Sequence, residues 1–338
     1  MLERGRSAIA LFFCMTAALP ALAGEARAKR PASPPYASTQ PLTEPAIFGE
    51  GVISGGYFDS HPAFTPDGAT LYFVRSAANF NFWAIMVSRF SHGRWSEPEV
   101  APFSGQYADA DPFITADGAR LYFISRRPLA VGGTPRDNTD IWMMRKAAAG
   151  SWGKPQHLDA PINSDGDEWY PTLTRDGTLY FGSDRPGGLG KTDLYRARPD
   201  GDGYAPAENL GSPVNTEADE YEPYIAPDES YLIFMASGRS DSLGRSDLYI
   251  SYRRDGAWSA PQNLGKRINS SALEYSPKVS PDGRYFFWSS TRNITDRPLA
   301  KPLNSAQLKH LLGSAGNGMG DIYQIDIGEV LKPERPGK

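Results

Sequence analysis

Short apolar runs recur along the chain at long, even intervals. Leu71-Tyr72-Phe73, Leu121-Tyr122-Phe123, Leu179-Tyr180-Phe181, Leu232-Ile233-Phe234 and Tyr285-Phe286-Phe287 each follow a polar turn, carrying Asp67, Asp117, Asp176, Asp228 or Asp282. Ahead of every turn stands the phrase acid-x-x-Pro, first seen as Asp59-Ser60-His61-Pro62. The turn aspartates advance in steps of 50, 59, 52 and 54 residues. Runs this short, rich in aromatic residues and bounded by Gly, Pro and Asp, suit buried strands better than helices. A period near fifty residues, all strand and turn, predicts one supersecondary unit repeated radially, which is a β-propeller.

Each unit predicts four strands. An inner strand surrounds the x-Pro, as in Tyr170-Pro171-Thr172-Leu173. An Asp-Gly turn follows, in which Gly accepts positive φ and Asp bonds its own backbone. The fourth copy reads Asp228-Glu229 instead, so its turn is expected to use a conformation that tolerates Glu. The apolar run is the second strand. The third opens with Asp-Ile/Leu-aromatic at Asp140, Asp193, Asp247 and Asp321, with Asn81-Phe82-Trp83 as a divergent first copy. The outer strand carries Trp-x-x-Pro-x-x-Leu, as in Trp152 to Leu158 and Trp258 to Leu264. The last unit has no outer strand after Asp321 to Ile327, and Pro45 to Ser54 is predicted to fill that slot. Both ends would then meet in one sheet and hide its edges. The reading is an all-β chain, a single propeller of five blades of four antiparallel strands. A six-bladed ring, the alternative, would need a sixth copy. Asn304 to Leu312 reads as a short helix on one face of the disc.

The propeller is expected over residues 45–330, followed by a C-terminal tail at 331–338. Ahead of it, Arg4 and Arg6, the apolar stretch Ala8 to Ala18 and Ala21-Leu22-Ala23 predict a cleavable signal peptide over 1–23. Residues 24–44, rich in Pro, Ala and Ser, predict a flexible linker. The protein is therefore expected in the periplasm or secreted, with no transmembrane segment after cleavage. Cys14, the single cysteine, lies inside the signal peptide, so the mature chain has no thiol or disulfide chemistry. The chain carries 35 basic and 39 acidic residues, a net charge of −4 with both signs mixed. Such a balance gives no basic field for nucleic acid.

Ser280-Pro281-Asp282-Gly283, and Ser183-Asp184-Arg185-Pro186-Gly187-Gly188 followed by Asp193-Leu194-Tyr195, resemble the WD40-like repeats of TolB-type periplasmic propellers. The resemblance covers about residues 45 to 327. It implies an exported, mostly non-catalytic propeller that binds other proteins or envelope components. TolB-type chains add an N-terminal domain and a sixth blade, and neither is found here.

Two sets of residues invite chemistry. The acids three places before each inner-strand proline are Asp59, Asp109, Glu168, Glu220 and Glu274. Equivalent positions form a ring, expected to circle one end of the channel. A ring of carboxylates could take a cation such as Ca²⁺ or a basic partner. Each unit also has an arginine after its second strand: Arg75, Arg126, Arg185, Arg239 and Arg292. A repeated acid–arginine network that sets blade geometry is the favoured reading, because a catalytic site is not copied five times. One place before each proline, the repeat breaks into His61, Asp111, Tyr170, Glu222 and Ser276. By alternation these share the face of the acids. His61, Asp111 and Glu222 could ligate a metal or do acid–base work, or be solvated rim positions. Trp169, Tyr170, Tyr221 and Tyr275 make the same rim aromatic, suited to a peptide or glycan or to ordinary packing. Residues 183–190 look like a phosphate loop but are not followed by its helix.

Of these, the main expectation is a non-catalytic, monomeric propeller without a cofactor, binding an envelope protein, peptidoglycan or another glycan. The alternative is a glycoside-active enzyme that uses Asp111, Glu222 and His61 at the channel mouth. A Ca²⁺-stabilised structural disc is a third.

Overall fold

The computed structural model describes Met1 and residues 34–331, except 79, 149, 294–298 and 300. The expected signal peptide, the first part of the linker and the tail after Leu331 lie outside the described residues, Met1 apart. From Pro34 the linker is part of the propeller. Tyr36 is buried against Phe64, Tyr285 and Phe287, and the Gln324 amide donates to its carbonyl oxygen at 2.7 Å.

Five antiparallel sheets stand in a ring. Their inner strands are Phe58–Phe64, Asp109–Ile114, Glu168–Leu173, Asp219–Ile225 and Glu274–Val279, and each touches the next around the circle. Each sheet runs outward in sequence order from the inner strand. The fifth is completed by Ala46–Ile47, which pairs with Asp321–Asp326, Ala46 opposite Gln324 and Ile47 opposite Tyr323. The chain is thus a five-bladed propeller closed by its N-terminal strand. The middle strands are apolar on both faces because both are covered by neighbouring blades; Phe73, Phe123, Phe181, Phe234 and Phe286 are all fully buried.

The turns follow one pattern. Thr65, Thr115, Thr174, Ser230 and Ser280 each donate a hydroxyl hydrogen bond to the turn aspartate, which also accepts a backbone N–H two residues on. The fourth turn tolerates Glu in the same conformation as the others. Glu229 takes the same left-handed position as the glycines, at φ 56°. Its carboxylate accepts from Tyr180 Oη at 2.7 Å and pairs with Arg253, contacts that offset the unfavourable backbone. The loop at residues 183–190 spends its amides on its own blade, since Leu189 and Gly190 N–H both donate to Asp193. Gly190 is required there, because a Cβ would lie 2.0 Å from the Ala218 carbonyl oxygen. The helix forms over Ser305–Leu312, with a capping box between Asn304 and Gln307.

Candidate active site

Every inner strand breaks its ladder at the x-Pro. In blade 1, Ser60 pairs with Val74 and Ala63 with Tyr72, so His61 and Pro62 together face Phe73. The same shift occurs in all five blades. Proline suits such a bulge, having no N–H to lose from the ladder. The residue before it is forced to positive φ: His61 56°, Asp111 54°, Tyr170 52°, Glu222 51°, Ser276 49°. The bulge ends the simple alternation, and this corrects the expectation that these residues share a face with the repeated acids.

Asp59, Asp109, Glu168, Glu220 and Glu274 have no exposure and border neither cavity of the channel. They do not form a ring at its end. Each is enclosed within its blade by an arginine: Arg75 at 2.7 Å, Arg127 at 2.7 Å, Arg185 at 3.0 Å, Arg239 at 2.7 Å and Arg292 at 3.4 Å. In blade 2 the partner is Arg127, not Arg126. Arg126 lies over the Trp83 ring, 5.3 Å from its centroid. Hydroxyl groups complete the enclosure, as where Ser164 and Ser183 donate to Glu168.

The bulge residues gather on the axis instead. His61 Nε2 lies 3.1 Å from Asp111 Oδ1 and 3.3 Å from Glu222 Oε1. The second oxygen of each carboxylate accepts the bulge amide of the next blade, Tyr170 N–H for Asp111 at 2.9 Å and Ser276 N–H for Glu222. Burial works against a charged His61, but the Asp111 and Glu222 charges overcome it and raise its pKa above the ordinary value. Burial pushes the Asp111 carboxyl up to about 6, against the opposing pull of His61. Glu222 is the most exposed of the three, its side chain 15% accessible.

The cluster floors a cavity of about 170 Å³ whose walls include Phe80, Trp83, Trp169 and Tyr275. Of the aromatic rim read from the sequence, Trp169 and Tyr275 border this space. Tyr221 stands behind Trp169, ring centroids 5.9 Å apart. Tyr170 is fully buried and donates its hydroxyl to the Pro277 carbonyl oxygen at 2.6 Å, which makes it a plug in the channel. Phe80 and Trp83 escaped the site reading, Phe80 because it lies in the loop before the third strand of the first blade and Trp83 because it opens that strand in its divergent copy. Lys278 was also missed. It lies beneath the cluster, its ammonium 4.4 Å from the Tyr170 ring centroid. Among the described residues no group of His, Asp and Glu is placed to cage a metal ion.

A five-bladed propeller with one buried carboxylate–histidine–carboxylate cluster on its axis is the class that fold and site define. No protein-family model and no curated protein matches the chain. Solved structures do. A glycoside hydrolase is similar over 87% of this chain and 94% of its own, with 10% identity and a TM-score of 0.51. An α-L-arabinanase of Penicillium chrysogenum, solved with arabinobiose, is similar over 85% and 100%, with 15% identity and a TM-score of 0.47. A puromycin-hydrolyzing peptidase of Mycobacterium tuberculosis is similar over 73% and 36%, with 17% identity and a TM-score of 0.41. The chain thus spans about a third of the peptidase's length. These likenesses concern the fold. The expectation of a non-catalytic scaffold is nevertheless corrected. A solved structure of like fold that this chain spans nearly whole is a glycoside hydrolase, and the axial cluster is singular, unlike a repeated structural network.

Proposed function

We propose that the protein is a glycoside-active enzyme whose carboxylate pair is Asp111 and Glu222. The observation that carries this is the placement of two inward carboxylates on one imidazole nitrogen, at the floor of an aromatic-walled cavity. Aromatic walls stack against the apolar faces of sugar rings. The glycoside hydrolase of like fold supports the same substrate class. The repeat itself is read as TolB-like on the sequence motifs given above.

Asp111 Oδ1 and Glu222 Oε1 stand no further apart than 3.1 Å plus 3.3 Å, since both touch His61 Nε2. Retaining glycosidases hold their carboxyl groups ~5–5.5 Å apart and inverting ones ~6.5–9.5 Å. That bound applies to the two oxygens nearest His61 and lies between the two ranges, so retention, the outcome of the closer arrangement, is the one put to the test. Asp111, with its raised pKa, is the general acid that protonates the leaving glycosidic oxygen. Glu222, the more exposed carboxylate, attacks the anomeric carbon as that C–O bond breaks. Water, deprotonated by Asp111, then cleaves the glycosyl ester and restores Glu222. His61 is a positioning residue that holds the two carboxylates and offsets their repulsion.

The test is hydrolysis of a panel of aryl glycosides and envelope and plant polysaccharides, with the anomeric proton followed by NMR. Retained configuration and a loss of at least ~100-fold in Glu222→Gln and Asp111→Asn are expected. No turnover of any glycoside by the wild-type chain, or undiminished turnover by either folded variant, would sink the assignment.

A further inference from the structure

The residue after each channel proline is Ala63, Phe113, Thr172, Tyr224 or Lys278. Four are neutral and one is a cation. Lys278 is only 6% exposed. Tyr170 plugs the channel between the axial carboxylates and a second cavity, of about 810 Å³, at the turn ends of the inner strands. Lys278 borders that cavity together with Phe64, Phe113 and Tyr224. Its Nζ rests over two rings, 4.4 Å from the Tyr170 centroid and 5.1 Å from that of Phe113. No hydrogen-bond acceptor or ion-pair partner meets it among the described residues. Asp111 and Glu222 act on it only through their fields.

A buried ammonium without an acceptor is costly, and an apolar side chain would fill the position without that cost. Aromatic faces replace only part of the lost hydration. At the rim, Arg120 and Arg175 stand with Asp117 and Asp176, so the rim charges offset each other. Burial holds the Lys278 ammonium down to a pKa of about 7 despite the fields of Asp111 and Glu222, so an anionic group placed beside it, next to apolar wall, would restore its full charge.

We propose that this second cavity binds an organic carboxylate, its anionic end on Lys278 and its apolar body against Phe64, Phe113 and Tyr224. A single monoanion matches a single ammonium, whereas a phosphate dianion would need further buried donors that the floor does not supply. The proposal stands apart from the glycoside reading, because it concerns the opposite mouth of the channel and is read by binding alone.

The experiment is calorimetric titration of the full chain with benzoate, cyclohexanecarboxylate and inorganic phosphate. Both carboxylates are expected to bind saturably and phosphate at least tenfold more weakly. Lys278→Met is expected to lose at least tenfold in benzoate affinity, and Lys278→Arg to keep most of it. On the wild-type chain, benzoate is expected to protect Lys278 from acetylation by acetic anhydride, read by mass spectrometry. That second readout does not depend on the fate of the Met variant. No saturable binding of either carboxylate, phosphate binding as tight as benzoate, undiminished affinity in folded Lys278→Met, or acetylation of Lys278 unchanged by benzoate would each overturn the proposal.

Discussion

Replacing Asp111 with Asn should flatten the decline of stability with pH. The Asp111 carboxyl is pushed from the ordinary 3.8 up to about 6, chiefly by burial. The folded chain therefore holds this proton more tightly than the unfolded chain does. Its contribution to stability is complete below about pH 4 and is lost as pH rises through about 6. A gap of about two pH units, at ~1.4 kcal/mol per unit, makes this loss on the order of 3 kcal/mol. For a propeller of this size the unfolding entropy is roughly 0.6 kcal/mol per kelvin, so the loss corresponds to about 5 °C in Tm. Asparagine keeps an oxygen to accept the Tyr170 N–H but does not titrate. It also removes a charge that raises His61, whose own contribution is lost as pH rises past its elevated pKa. Asp59, at about 6, and Asp321, at about 7, carry the same sign and remain in the variant. Differential scanning calorimetry from about pH 4 to pH 7 is the assay. The wild-type Tm should fall by about 5 °C more than that of Asp111→Asn. Parallel curves for the two proteins would refute the reasoning.

The blade 2 arginines offer a contrast. Arg127→Met strands the fully buried Asp109 and should cost ~3–5 kcal/mol in urea denaturation, while Arg126→Met, which loses only its stacking on Trp83, should cost about 1 kcal/mol or less. Equal costs would show that the pairing has been misread. Removing residues 34–47 takes away the closing strand and uncovers the Asp321–Asp326 edge. The truncated chain should self-associate on size-exclusion chromatography, and a monomer of unchanged Tm would deny closure its role.

Much of the fold was legible because its signals are local and repeated. Asp-Gly turns and Leu-Tyr-Phe strands need only neighbouring residues to specify them, and five copies in register multiply a weak signal. Closure by Ala46–Ile47 followed from a missing part in the last copy. How the fourth turn tolerates Glu229 was not legible, because the compensation comes from Tyr180 and Arg253, which are distant in sequence. The pairing of Arg127 in place of Arg126 depends on which way one side chain leaves a strand end, and that is set by packing.

The candidate site was legible only as a list. His61, Asp111 and Glu222 stood out because they break a repeat, yet their partnership crosses 161 residues between His61 and Glu222. Lys278 went unnoticed because it follows a proline in an ordinary strand pattern.

By itself, the sequence determined the periodic unit, the strand order within each blade and the blade count, since all of these are encoded in short-range hydrophobic and turn patterns. The tertiary structure alone decided that the bulge residues, and not the repeated acids, meet on the channel axis. The reason is the bulge at each x-Pro. It rotates one residue out of the strand's alternation, and ring closure then brings five such residues from distant segments onto one axis. There, burial and mutual charge give His61 and Asp111 properties that neither has in the chain alone.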